Sequence, residues 1–253
     1  MIFATVVRKI ARYIKLLKVS LYSYKVLEPF DETWFKGKRV AIVGGGDSVL
    51  HEKLGKYIDD FDVVVRVNKG VEIIDQQYEF VGRRTDVLFH SFYMRNNDIT
   101  TSPIAIDLWK KNNVIKLIFA HNYFCSDYSM QNLLYFLSIS KKQYLFSQVP
   151  KQMFYENHKA VYPANGPTTG FVAINTVFNC QPKELYITGF TFSKTPNNKL
   201  YRDITREQLD KMWAINKAHD VELEYTYVKN IYYNNKDIVK VDTILSHIFL
   251  SET

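Results

Sequence analysis

The stretch Lys38-Arg39-Val40-Ala41-Ile42-Val43-Gly44-Gly45-Gly46-Asp47-Ser48 runs from an apolar segment straight into a glycine triplet. Val40 to Val43 have the length and composition of a strand covered on both faces, as in a parallel sheet. Gly44, Gly45 and Gly46 then turn the chain into Val49 to Tyr57, which reads as a short helix. A strand, a glycine turn and a helix start leave backbone N–H groups unpaired, and the helix dipole adds partial positive charge there. The three glycines are therefore expected to face a phosphate or another anion. Two common nucleotide fingerprints do not fit. Val49 stands where the third glycine of Gly-x-Gly-x-x-Gly belongs, and the next strand runs into Arg66-Val67-Asn68 rather than an acidic ribose ligand. No Gly-Lys-Ser or Gly-Lys-Thr follows, which excludes a P-loop.

Outward from this turn, further buried-strand patterns lie at Asp62 to Val67, Asp86 to His90, Val114 to Ala120 and Leu185 to Gly189. Helical patterns at Tyr128 to Ser138, Phe171 to Phe178 and Glu207 to His219 alternate with them. The alternation predicts an α/β fold: a doubly wound, mostly parallel Rossmann-like sheet in a single domain over residues 31–253. Ligands of such sheets sit beyond the carboxyl ends of the strands, so Gly44, Asn68, His90 and Gly189 should gather on one edge.

A chain of 253 residues can bury a full core, and 47% hydrophobic with 23% charged residues is a globular composition. The net charge of +7 favours acidic partners such as nucleotides, phosphorylated glycans or anionic lipids. The basic residues scatter and form no reading module, so no nucleic acid is expected as a partner. Cys125 and Cys180 supply neither a metal spacing nor a disulfide framework and are expected as free thiols. Residues 1–30 form a region of their own, a basic amphipathic helix and a connector. Ile2, Phe3, Val6, Val7, Ile10, Tyr13, Ile14 and Leu17 share one face, with Arg8, Arg12 and Lys15 opposite. No apolar run reaches the roughly 18 residues of a spanning helix, and the charges interrupt any signal-peptide core. Residues 1–25 suit either a membrane interface or ordinary packing against the domain.

Asn68 ends the strand beside the glycine turn, where its amide can donate to a phosphate or ribose oxygen, or simply shape a turn. Arg66 is read as structural, pairing with Asp86 or Glu79. Gly166-Pro167-Thr168-Thr169-Gly170 is a second turn before a helix. Its hydroxyls and amides suit a second polar group, and an N-cap by Thr168 or Thr169 is the alternative. Asp60-Phe61-Asp62 has the Asp-x-Asp form of metal-dependent glycosyltransferases but precedes its strand, which puts it on the wrong edge. The six histidines show no zinc spacing. Glu222 and Glu224 follow His219 closely, and a carboxylate beside an imidazole fixes its tautomer and raises its basicity, as in a general base; an ordinary surface position on a helix is the alternative.

Taken in order, Val-Gly-Gly-Gly-Asp-Ser, Ile-Asp-x-x-Asp-Val-Val-Val-Arg-Val-Asn, Val-Gly-x-Arg-Thr-Asp, Pro-Thr-Thr-Gly and His-x4-Glu resemble glycosyltransferase family 29, the sialyltransferases. Val40 to Asp86 is similar to sialylmotif L, Gly166 to Phe190 to motif S, and His219 with Glu224 to motif VS. The resemblance implies an inverting, metal-independent transferase that moves a 2-keto sugar from its CMP donor. It implies donor binding through Gly44, Gly45, Gly46, Asn68, Thr168, Thr169 and Gly170, with His219 taking the proton of the acceptor hydroxyl. No metal or other cofactor is expected, the CMP-sugar being a co-substrate.

The chain also departs from the family pattern. Gly45 replaces an asparagine of animal members. Val40 replaces the cysteine that opens motif L, so Cys180, which fits the motif S cysteine, lacks its usual partner. That points to a bacterial or viral cytoplasmic enzyme, peripheral on the cytoplasmic face of a membrane, rather than a Golgi one. No histidine fills the motif III slot, where Tyr201-Arg202-Asp203 lies, and Arg202 is the candidate to neutralise the donor phosphate. The same turns resemble bacterial lipooligosaccharide sialyltransferases, and enzymes that use CMP-Kdo share the chemistry. The expected function is transfer of sialic acid or Kdo to a glycan or glycolipid of lipopolysaccharide or capsule type. The rivals are a non-catalytic membrane-peripheral module on a degraded sialyltransferase fold and a nucleotide-binding oxidoreductase, the second disfavoured by Val49.

Overall fold

The computed structural model describes residues 2–93, 102–141, 143–205, 207–208, 211 and 219–251. Its strands are β1 (Arg39–Val43), β2 (Val63–Val67), β3 (Val87–His90), β4 (Lys116–Phe119), β5 (Ser147–Gln148), β6 (Glu184–Thr188) and β7 (Val239–Val241). The helices are α1 (Ile2–Ser23), α2 (Gly55–Asp59), α3 (Ile74–Val81), α4 (Ile106–Lys111), α5 (Asp127–Ser140), α6 (Lys151–Ala160), α7 (Thr169–Asn179), α8 (Val221–Asn234) and α9 (Thr243–Leu250). All seven strands run parallel in one sheet, in the order β5-β4-β3-β2-β1-β6-β7. The chain leaves β1 towards β5, then returns to β6 on the other side of β1. The switch point of this doubly wound sheet therefore falls between β1 and β6, where such folds hold ligands.

Parallel pairing on both sides of β1 explains its unbroken apolar run. Ala41 is level with Val64 of β2 and with Tyr186 of β6. Val40 and Ile42 face one layer, completed by Ile174 of α7, Val228 of α8 and Phe249 of α9. Ala41 and Val43 face the other, with Val49, Ile58 and Ile73. Further along that second face, Val19 of α1 joins Leu133 and Phe136 of α5 over Leu88 and Leu117. With helices on both faces, Val40 to Val43 have no polar side to alternate towards.

Several expectations change on inspection of the elements. The segment Val49 to Tyr57 is not one helix but a 3-10 turn at Asp47–Leu50 followed by the short α2. The helix expected over Glu207 to His219 falls mostly outside the described residues. His90 ends β3 at the expected edge, yet its ring packs inside against Phe92 and Trp109, and Nδ1 accepts the Phe92 amide. As expected, Asp62 and Asp60 lie at the amino edge of the sheet, away from the switch point, where they bind the backbone and guanidinium of Arg39.

Arg66 is structural, but not through a carboxylate. It is fully buried and donates to the carbonyls of Val81, Gly82 and Arg84 and to the Thr85 hydroxyl. Those carbonyls end α3, where four acceptors lose their helical partners, and a planar five-donor group can satisfy several at once. Burial pulls the Arg66 pKa down to about 10, so it stays charged at neutral pH. Asp86 instead accepts the Val64 amide and pairs with Arg84. Replacing Arg66 by Met should strand these carbonyls and lower stability by roughly 3 kcal/mol or more, at about 1–3 kcal/mol per buried unsatisfied group. Urea denaturation reads this directly, and a loss below about 1 kcal/mol would mean the carbonyls find other partners.

Candidate active site

The loops beyond β1, β2, β4 and β6 and the turn before α7 enclose a cleft of ≈ 680 Å³ at the carboxyl edge of the sheet. Gly45, Gly46, Asn68, Thr168, Thr169, Gly170, Arg202 and His219 all line it, and Gly44 lies just behind.

The glycine turn works differently from the sequence expectation. Gly44 and Gly46 donate to the carbonyls of Thr188 and Gly189, and Asp47 to that of Pro196. These amides are engaged by the β6 loop, and no α-helix begins at the turn. The glycines permit close approach instead: a Cβ on Gly44 would overlap the Gly189 carbonyl, and one on Gly45 the Tyr201 ring. The loss of a side chain at Gly45 thus has a local cause. Tyr201 fills its space and donates its hydroxyl to the Val67 carbonyl at 3.2 Å.

Asn68 takes a left-handed φ of 46°, and its Oδ1 accepts the Ser91 amide at 3.1 Å. With that oxygen engaged, its side chain has N–H donors to offer a ligand.

The second turn is clamped from α8. Glu224 is buried, accepting the Thr168 amide at 2.6 Å and the Thr168 hydroxyl at 2.7 Å. Thr168 Oγ1 also accepts the Phe171 amide and so caps α7. Thr168 is therefore a structural residue of the cleft wall, its amide and hydroxyl both engaged, rather than a ligand donor. Two residues before it, the Gly166 carbonyl meets His219 Nδ1 at 2.9 Å. A carbonyl only accepts, so Nδ1 carries the proton and Nε2 is the basic nitrogen. Burial lowers the His219 pKa, the Gly166 bond opposes this, and nearby Arg202 adds to it. The imidazole is neutral at physiological pH. Its orienting partner is this backbone carbonyl, not Glu222, which is exposed and pairs with Lys194.

Arg202 borders the same cleft, and its buried Nε has no hydrogen-bond partner among the described residues. An unmatched cationic donor at a cleft fits an anionic ligand. Two cleft histidines were missed in the sequence. His121 follows β4 and obeys the same carboxyl-end rule as Asn68, a signal that was available. His158 sits on α6 against Gly166, and no strand end or turn marks it. Burial, aided by His158 and His219, pushes His121 down to about 3. Among the described residues, no three His, Cys, Asp or Glu side chains converge as a metal-binding group.

The family model for glycosyltransferase family 29 (sialyltransferase) matches residues 6–236. The chain belongs to this family. It is 28% identical over 262 residues to the type 2 lactosamine alpha-2,3-sialyltransferase of Homo sapiens, covering 90% of this chain and 71% of that protein. The namesake of Rattus norvegicus is 26% identical over 227 residues, 77% of this chain and 62% of its own. A mammalian sialyltransferase superposes with a TM-score of 0.56 at 16% identity, covering 90% of this chain and 78% of its own. A variant of the sialyltransferase CST-II in complex with CMP gives 0.51 at 16%, with 81% and 80% covered. These likenesses establish a shared fold. This family 29 protein is a CMP-sugar-dependent glycosyltransferase on a sialyltransferase fold.

Glu224 gives its clamp a pH signature. Burial pushes its pKa from 4.5 up to about 7, against the pull of the two Thr168 bonds. Between those values the Glu224 carboxyl is more protonated in the folded chain than in the unfolded one, so its contribution to stability is present below about 4.5 and is lost as pH rises through about 7. His90 and His121, each pushed down to about 3, act in the opposite sense below 6.5. Glu224→Gln removes the carboxyl contribution alone. From pH about 4.5 to about 7 the variant should therefore lose less stability, or gain more, than the parent in urea denaturation. Parallel pH profiles would mean that Glu224 ionises normally.

Proposed function

We propose that this protein transfers sialic acid from CMP-sialic acid to a glycan hydroxyl, with inversion and without a metal, using His219 as general base. The observation that carries this reading is the His219 imidazole, neutral and tied through Nδ1 to Gly166, lining the same cleft as the glycine turn and Arg202. Nε2 takes the acceptor proton as the hydroxyl oxygen attacks the anomeric carbon. The bond from that carbon to the phosphate oxygen breaks, and CMP departs with the electron pair. Attack from the side opposite CMP inverts the anomeric centre. The charge that gathers on the phosphate is offset by the Arg202 guanidinium and by hydrogen-bond donors of Gly45, Asn68, Thr169 and Gly170, with Gly46 shaping the turn. The sialyltransferases among its relatives favour sialic acid over Kdo as the sugar.

CMP should stabilise the protein by about 2.7 kcal/mol at 100 times its dissociation constant, equally with and without EDTA. A metal-dependent response to UDP would contradict the reading. His219→Ala should cut kcat by about 100-fold to 10,000-fold while the CMP shift persists. A variant that turns over normally would remove His219 from the chemistry. Arg202→Met should weaken use of the donor, and preference for CMP-Kdo over CMP-sialic acid in the parent would correct the sugar.

A further inference from the structure

Helix α1 turns its less apolar side to the domain. Val19 and Ser23 are buried against the body of the protein, and Arg12 donates to the Phe124 carbonyl at 3.1 Å and lies 3.7 Å from Asp127. Ser20 meets the Tyr123 hydroxyl on the same side. The periodic apolar stripe lies on the far side. Ile10, Ile14, Leu17 and Leu21 are 54%, 61%, 64% and 69% exposed, with Val6, Val7 and Tyr13 beside them. A helix that served only to cover the domain would bury this stripe.

The charges say what covers it. Ile2–Ser23 holds Arg8, Lys9, Arg12, Lys15 and Lys18 and no Asp or Glu. On a helical projection Lys18 flanks one edge of the stripe and Lys9 the other, with Lys15 further round towards Arg8. A second copy of this chain laid across the stripe would bring like charges together, whereas anionic headgroups complement both edges while acyl chains receive the apolar residues. We propose that the outer face of α1 docks the protein on an anionic lipid bilayer.

The same helix braces a wall of the cleft. The loop that Arg12 and Ser20 hold, between β4 and α5, supplies His121 and Ser126 to the lining. Phe124 of that loop and Tyr155 of α6 are 48% and 51% exposed. Docking brings this wall to the headgroup layer, which suits an acceptor sugar carried on a membrane component. That consequence rests on the transferase reading, whereas docking does not.

Co-sedimentation of the full chain with phosphatidylcholine vesicles, with and without phosphatidylglycerol, tests the docking without any turnover. The parent should bind the vesicles that contain phosphatidylglycerol and lose affinity as salt rises. Ile14→Glu and Leu17→Glu, at exposed positions, should each weaken binding at least about tenfold while keeping the parent's melting temperature and CMP response. Lys9→Glu with Lys18→Glu should abolish the preference for phosphatidylglycerol. A parent that stays in solution, apolar-face variants that bind as well as the parent, or a parent dimer that Leu17→Glu splits into monomers would each overturn the proposal.

Discussion

Glu224 joins α8 to a turn 56 residues earlier, through the Thr168 amide and hydroxyl. That one carboxyl sets the geometry of the His219 end of the cleft. It fixes Thr168, which caps α7; the turn it holds presents the Gly166 carbonyl; and that carbonyl decides which nitrogen of His219 bears the proton. Burial of Glu224 costs desolvation, visible in its raised pKa, and two short hydrogen bonds offset part of that cost. The His219 ring is thus oriented by a dipole rather than an anion. A carboxylate partner would raise the imidazole's basicity more than the carbonyl does, and burial with the Arg202 charge outweighs the carbonyl and lowers the pKa.

The opposite side of the cleft depends on contact between backbones. Gly44 and Gly46 let the β1 turn lie against the Thr188–Gly189 turn of β6, which closes the switch point with direct amide-to-carbonyl bonds. Tyr201 then packs over Gly45 and reaches Val67, linking the β6 loop to the end of β2. Arg202, next in the chain, reaches the cleft from this packed anchor. Its position follows from Tyr201 filling the space that a side chain at residue 45 would need.

The central sheet was legible because buried parallel strands announce themselves as short apolar runs. Val40 to Val43, Val63 to Val67 and Leu185 to Thr188 all stand where their residues say. The edge strands β5 and β7 were not legible, since two or three residues carry no period. The members of the cleft were largely visible in motif order, but their roles were not. Whether the Gly46 amide faces a ligand or the Gly189 carbonyl depends on a contact 143 residues away, beyond any local pattern. Glu224 looked like the partner of His219 because both lie in one short stretch; the N-cap at Asp220 turns the chain between them, and the carboxyl meets Thr168 instead. Arg66 was recognisable as structural, while its carbonyl partners at the end of α3 depended on a helix the sequence pattern did not reveal.

The proposed chemistry requires a neutral His219 whose Nδ1–H is held by Gly166. Nitrogen NMR of the labelled protein across a pH series measures both the tautomer and the titration of that ring. Protonated Nδ1 and unprotonated Nε2 are expected at neutral pH, with a midpoint below 6.5. A ring that carries its proton on Nε2, or one still doubly protonated at neutral pH, would contradict that chemistry.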